Sequence, residues 1–451
     1  MRKLRNSRLL VLILVFVLAT SICTNAAPVH KDIFDKVSGE NIYEHIEAMA
    51  YEDDARMTGT EGEETAADYI AEQMESYGLD VERQEFDIVS WFDGSASLEM
   101  ISPETKAFDV ANFQYSCSTP GGSITAEVLD CGLGYPEDFP ADTAGKIALI
   151  SRGEFTFAEK VQNAANAGAA AAIIYNHSPG PVNGTLANPS EIPALEMLQD
   201  DGLYIIGLLG AGNTVSLSMI SECSIDYGTS QNVIGTLYAN RGKKSHGTIV
   251  MGAHMDCVDS PGANDNASGV AAMLESARIL SEEKLAYNIE FAAFGAEEIG
   301  LVGSYQYLDN LSEEEFNDIV AMINLDMVGV GEAIGVMTVE EDANSFVADL
   351  AEVYLDNFGY PYDRSTSSSS DHEGFELSGI PSVFLDYHED PYYHTDEDSL
   401  DKIDQNNLYR IGCLVTSMTY DMAKTPMPES FNGIKAKVNK YKSINKEFKA
   451  D

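Results

Sequence analysis

The chain has 451 residues, of which 44% are hydrophobic and 22% charged, an ordinary globular balance with enough length for two or three hydrophobic cores. Its formal net charge of -46 sets 73 acids against 27 Lys and Arg, which excludes partners held by phosphate charge: nucleic acid and anionic membrane are repelled. The same field attracts cations and basic peptides, although surface solvation accounts for most of the acids.

Residues 1–27 read as a secretory signal. Arg2, Lys3, Arg5 and Arg8 precede the apolar run "LLVLILVFVLATSI", and small and polar residues follow up to Ala26 and Ala27. The run is short for a span of about 20 residues, and bulky Ile22 argues against a lipid on Cys23. The mature protein is therefore expected outside the cytoplasm, without an integral membrane span. Of six cysteines, five remain after cleavage. One disulfide among Cys117, Cys131 and Cys223 suits an oxidising compartment, and there is no CxxC pair for a thiolate-type zinc site.

Residues 28–107 open the main domain. "NIYEHIEAMAYEDDARMTGTEGEETAADYIAEQMESYGLD" carries two helical patterns around a Thr-Gly-Thr-Glu-Gly turn, with Ala66, Ala67, Ile70, Ala71 and Met74 on one face of the second. "DVERQEFDIVSWF" and "ASLEMIS" alternate like strands. From 108 to 226 the texture changes. "GKIALISRG", "TFAEKVQNAANAGAA" and "AAAIIYNHS" give a strand-helix-strand rhythm with few convergent ionisable residues, which marks a separate inserted domain; "GAGNTVSLSM" reads as a hairpin.

Residues 227–426 alternate again: strand "HGTIVMGAH", helix "ASGVAAMLESARILSEE", strand "YNIEFAAFGAEE", a helix near "SYQYLDNL", strand "DIVAMINLDMVG", helix "ANSFVADLAEVYLDNFG" and strand "PSVFLDY". Short apolar runs flanked by helices predict a mixed, mostly parallel sheet sandwiched between helices. Residues 427–451 are a Lys-rich tail carrying Lys435, Lys437, Lys440, Lys442, Lys446 and Lys449.

Sheets of this kind bind ligands beyond the carboxyl ends of their strands, and the chemistry-bearing residues fall there. His254 and Asp256 follow "TIVMGA", two apart and so on one side of a strand; one can bind a metal while the other orients the imidazole. Asp265 stands before a helix, where an N-cap role is the simpler alternative. Glu297 and Glu298 end "FAAFGAEE", Asp326 ends "AMINLD", and His394 lies in "PYYHTDED". Each acid follows an apolar run that would bury it only at a cost.

The set "AHMDCVDSPGANDNASG", "FGAEEIGLVGS", "INLDMVG", "SDHEGF" and "YHTDEDSL" resembles the M28 family of di-zinc aminopeptidases. The likeness covers 230–425; 30–105 resembles the first part of the same catalytic domain, and 108–226 a protease-associated domain that some members insert. The resemblance implies that His254 and Asp326 hold one Zn2+, that Glu298 and His394 hold the other, and that Asp265 bridges them before a cis peptide to Asn266. It makes Asp256 the orienting partner of His254, Glu297 the general base, and Tyr393 the group that steadies the tetrahedral intermediate. Imidazole and carboxylate ligands would also accept Co2+ or Mn2+.

The expected activity is removal of the N-terminal residue from peptides with a free amine, by a metal-activated water. A carboxypeptidase or dipeptidase of the same architecture would want cations for the substrate carboxylate, of which Arg364 is the obvious one. A single-zinc glutaminyl cyclase does not need the full ligand set, and a non-catalytic binding protein would have lost part of it. His372 and His388 compete with His394 for the second metal; "YYHTDEDSL" favours His394. Asp371 and His372 are candidates for supporting or substrate-side roles, while some relatives carry an Arg where this chain has Ser369. The acids of "HTDEDSLDKIDQNN" lack EF-hand spacing and read as a solvated helix start near Ser399. Cys257 and Cys413 read as packing residues, and His30, His45, His177 and His246 as surface or packing. The inserted domain is expected to frame the cleft and steer substrate size, with the Ser-rich "STSSSS" as a mobile loop beside the site.

Overall fold

In the computed structural model, the structure describes residues 31–50, 55–182, 184–239, 245–341, 343 and 345–426. The expected signal segment with Cys23, His30 and the Lys-rich tail lie outside the described residues. Two compact units emerge, one formed by the segments up to Phe86 and from Ser230, the other by Asp87–Thr229. The second unit thus begins earlier than residue 108, because the backbone stays extended through the two predicted strands, which form one long strand with no turn between them.

In chain order the first elements are α1 (Lys31–Phe34), α2 (Gly39–Glu47) and α3 (Glu61–Ser76). Ser38 caps α2 by accepting from the Asn41 N–H, and α3 buries Ala66, Ala67, Ile70, Ala71 and Met74, the face predicted by its spacing. Then β1 (Asp80–Ser102) leads into the second unit, which contains β2 (Lys106–Phe108), β3 (Val110–Asn112), β4 (Ile124–Asp130), β5 (Ile147–Ser151), α4 (Phe157–Asn166), β6 (Ala171–Tyr175), β7 (Ala194–Met197) and α5 (Gln199–Gly210). Here β4, β5, β6 and β7 pair in parallel, and β3 closes the edge antiparallel to β7. The expected hairpin at "GAGNTVSLSM" is instead the end of α5: the Gly212 N–H caps the Leu209 carbonyl at φ 86°, and extended chain resumes at Ser216.

β8 (Ser216–Leu237) returns the chain to the first unit. There follow β9 (Thr248–His254), α6 (Gly269–Leu280), β10 (Asn288–Phe294), α7 (Val302–Asn310), α8 (Glu313–Asp318), β11 (Ile319–Leu325), β12 (Ile334–Thr338), α9 (Phe346–Phe358), β13 (Tyr362–Thr366), α10 (His372–Leu377), β14 (Ser382–Tyr387) and α11 (Gln405–Lys424). The strand order is β13-β12-β14-β11-β9-β10-β8. β14, β11, β9 and β10 run parallel, as do β12 and β13; the β12–β14 and β10–β8 pairs are antiparallel.

Every residue of β9 is buried, so this strand is covered on both faces. Ile249, Met251 and Ala253 enter the larger core under α2, α6 and α11, while Val250 packs on the other face with Phe294, Met322 and Phe375. Because β9, β10, β11 and β14 are parallel neighbours, their carboxyl ends lie side by side. Residues scattered over 140 positions of sequence therefore meet at one edge.

Candidate metal centre

His254 closes β9, Glu297 and Glu298 follow β10, and Asp326 follows β11. His394 arrives on the loop after β14, and Asp265 on the irregular turn before α6. These six side chains all line one cleft of about 420 Å3. The N-cap alternative for Asp265 does not apply, since α6 begins at Gly269, and the Asp265–Asn266 peptide is cis.

Among the described residues three groups of three donors converge, His254–Asp265–Asp326, Asp265–Glu298–His394 and His254–Glu297–Glu298, and the first two share Asp265. Its Oδ1 lies 3.2 Å from His254 Nε2 and its Oδ2 3.2 Å from His394 Nε2. His254 Nε2 is also 3.2 Å from Asp326 Oδ1, and His394 Nε2 is 3.2 Å from Glu298 Oε2. Ligands about 2.0–2.1 Å from zinc at tetrahedral angles stand about 3.3 Å apart. The donor types and spacing therefore fit two zinc ions with Asp265 between them.

Charge supports the fit. Asp256, Asp265, Asp326 and Asp371 are buried around the two histidines together with Glu297, and among the described residues no Lys or Arg lines the cleft. Burial would lower both histidines, yet the surrounding carboxylates overcome it: His254 is held well above its usual range, and His394 is raised to about 10. Burial pushes Glu298 up to about 7 against the His394 contact, and drives Glu297 well above the carboxylate range. So much buried anion is stable only with cations nearby.

The orienting contacts differ in detail from the expectation. His254 Nδ1 lies 3.2 Å from the main-chain oxygen of Asp256, and that residue's carboxylate Oδ1 is farther, at 3.6 Å. The Asp256 carboxylate instead accepts from the Glu297 and Glu298 N–H groups at 3.1 and 3.3 Å and from Thr58 Oγ1 at 2.6 Å. It thus holds the strand end that carries both glutamates. Tyr393 lines the cleft half-exposed, its ring stacked on His394 with centroids 3.8 Å apart.

Of the competing histidines, His372 is buried, reaches the Ser367 carbonyl at 2.9 Å and is pushed down to about 4 by burial; it braces the Ser-rich segment. His388 pairs with Asp386 at 3.2 Å. Asp371 is buried, which raises its carboxyl to about 7. Arg364 does not line the cleft and stands 3.9 Å from Glu352. The five cysteines of the described residues are all free, and Cys257 and Cys413 are buried. His45 is buried, with Nδ1 2.6 Å from Tyr69 Oη.

Several supporting residues escape the sequence reading. Asp398, expected on a solvated helix start, is 1% exposed and accepts from the Asn264 and Asp265 N–H groups at 2.7 and 3.0 Å. The long helix starts later, at Gln405, capped by Asp404. The position of Asp398 four residues after His394 was the available clue. Ser370 Oγ donates to Asp326 Oδ2 at 2.7 Å and accepts from Asn324. Buried Glu63 accepts from the Gly59 N–H and Ser230 Oγ, each at 2.6 Å, and holds the Ala296 N–H. Ala296, Met327 and His394 all have left-handed backbone, φ 57°, 57° and 55°, next to or at the converging donors. Such positions persist only where surrounding contacts hold them.

A parallel-sheet α/β unit whose strand ends bring together two histidines and a shared carboxylate is a metal-dependent hydrolase. Residues 232–419 match the model of peptidase family M28, and 121–205 that of the PA domain. The chain is 34% identical over 426 residues to aminopeptidase YwaD of Bacillus subtilis strain 168, covering 91% of this chain and 88% of that protein. Among solved structures, the aminopeptidase from Aneurinibacillus sp. strain AM-1 superposes with a TM-score of 0.75 at 35% identity, over 88% of this chain and 97% of its own. BSAP, a zinc aminopeptidase from Bacillus subtilis, gives 0.61 at 33% identity over 87% and 96%. The chain belongs to peptidase family M28 and carries a PA domain.

Proposed function

We propose that the protein is a zinc aminopeptidase that removes the N-terminal residue of peptides, working with two zinc ions and acting outside the cytoplasm. The observation that carries this reading is the pair of donor triads meeting on Asp265 in a cleft that no Lys or Arg of the described residues lines. A substrate ammonium is welcome among these carboxylates, and Glu297 and Asp326 are the acids placed to receive it. Among the described residues no Lys or Arg lines the cleft to hold a substrate carboxylate, Arg364 being elsewhere, which disfavours the carboxypeptidase alternative. The basic and apolar N-terminal segment supports export.

His254, Asp265 and Asp326 would hold one ion, and Asp265, Glu298 and His394 the other. Bound zinc would lower the pKa of water and polarise the scissile carbonyl. The Glu297 carboxylate takes the proton from the attacking water and delivers it to the leaving amine. Asp256 keeps Glu297 in place through its backbone N–H. Tyr393 offers a phenol donor to the oxygen that gains charge.

The test is hydrolysis of leucine 4-nitroanilide against its N-acetylated form, before and after chelation and zinc restoration. Chelator-sensitive cleavage of the free amine alone is expected. Cleavage of the acetylated compound at a similar rate would refute the exopeptidase reading, and cleavage indifferent to chelation would refute the metal.

A further inference from the structure

The cysteines of the described residues differ in what can reach them. Cys131, Cys257 and Cys413 are buried, and burial pushes Cys131 and Cys413 up to about 12 and Cys257 up to about 11. They are shielded from an oxidant and hold their protons at ordinary pH. Cys117 and Cys223 are half-buried, and both belong to the second unit. Cys117 lies between β3 and β4, and Cys223 lies in β8, the strand by which the chain leaves that unit.

The two segments lie side by side. The Thr119 N–H donates to the Ser221 carbonyl at 2.8 Å, and counting outward in the antiparallel sense sets Cys117 opposite Cys223. Serine side chains tie the same stretch together: Ser118 Oγ donates to the Cys223 carbonyl at 2.6 Å and accepts from its N–H at 3.0 Å, and Ser221 Oγ donates to the Cys117 carbonyl at 3.2 Å. Cys223 Sγ donates at 2.8 Å to the Ser116 carbonyl, which belongs to the peptide group that enters Cys117. Opposed residues of an antiparallel pair stand about 4.5–5.5 Å apart at Cα, inside the span of about 4.4–6.8 Å that a disulfide bridges. Burial raises the Cys117 thiol, and the Cys223 thiol beside it adds to the shift.

We propose that Cys117 and Cys223 are an oxidation site of the inserted unit, joined in a disulfide once the chain meets a disulfide oxidant, and that Cys131 stays a thiol. One cysteine thiolate attacks a sulfur of an oxidant such as oxidised glutathione and releases one glutathione thiolate. The other cysteine thiolate attacks the protein sulfur of that mixed disulfide and releases the second. Two protein thiols become one S–S bond, the oxidant is reduced to two thiols, and the two cysteine protons end on them. The bond closes a loop of more than a hundred residues, so it removes loop freedom from the unfolded chain and clasps the unit where the chain leaves it. The clasp involves none of the metal donors, and it stands or falls apart from the aminopeptidase reading.

The test takes the folded full chain, reduced and freed of reductant, exposes it to oxidised glutathione, blocks the remaining thiols and maps its peptides by mass spectrometry without reduction. A peptide linking Cys117 to Cys223 is expected in most molecules, with Cys131 recovered as a blocked thiol. Cys117→Ser and Cys223→Ser should each carry glutathione on the remaining cysteine at least tenfold more often than the wild type, because the second thiol that clears the adduct acts at high effective concentration. Absence of the Cys117–Cys223 link, a link to Cys131 in its place, or equal adduct levels in wild type and variants overturns the assignment and leaves the aminopeptidase reading intact. Should a variant not fold, the link in the wild type decides alone, its presence in favour and its absence against.

Discussion

Replacing Asp398 with Ala strips two buried backbone donors, the Asn264 and Asp265 N–H groups, of their acceptor. Each orphaned buried donor costs about 1–3 kcal/mol, so the pair costs about 2–6 kcal/mol. Relaxation of the turn admits some water, which places the expected loss near the middle, about 3–4 kcal/mol. At about 2–4 °C per kcal/mol for a unit of this size, the melting midpoint should fall by about 6–16 °C. The same turn aims both oxygens of Asp265, so zinc affinity should drop about 10- to 100-fold. Asp398→Asn keeps the shape but offers one accepting oxygen and one amide that meets the other N–H head-on, and it should fall between the two. Scanning calorimetry of the metal-free and zinc-loaded proteins, with zinc competition against a chromogenic chelator, reads both effects. An Asp398→Ala protein with the wild-type midpoint and wild-type zinc affinity would show that Asp398 does not position the bridging ligand.

Glu297→Gln should retain its zinc content and lose about 10²- to 10⁴-fold in kcat, the span of a general acid–base group; turnover within a few-fold of wild type removes Glu297 from the proton path. His45 predicts an acid sensitivity. Burial pushes it down to about 4 from an ordinary 6.5, so the folded state resists the proton that the unfolded chain accepts. Its contribution is complete above about pH 6.5 and is lost as pH falls towards 4; that gap corresponds to about 3 kcal/mol. Urea unfolding of wild type and His45→Gln at pH 7.5 and 4.5 isolates it from the other groups, with the variant gaining relative to wild type at the lower pH. Equal slopes for the two proteins would mean that His45 keeps its ordinary affinity for the proton when folded.

The parallel sheet and the identity of the converging donors were legible because the signal is local. A buried strand is a short apolar run, and an acid or histidine just after it is conspicuous, as at "TIVMGAH", "FAAFGAEE" and "INLD". The spacing also settles which residues share a face within one element, hence the buried side of α3.

What no local pattern contains is the strand order, which decides who meets whom. That order sets β11 beside β9 and so brings Asp326 to within 3.2 Å of His254, while the chain before α10 returns to make Ser370 a prop for Asp326. Asp398 looked solvated among neighbouring acids, and only the folded loop buries it under the Asn264–Asp265 turn. The compact unit that holds the inserted segment starts at Asp87, within β1, where the strand runs on without a turn and no local signal marks the change. Composition and periodicity determined the elements and the chemistry at their ends. Non-local packing decided the partners, because a hydrogen bond between residues a hundred positions apart leaves no trace in the neighbours of either one.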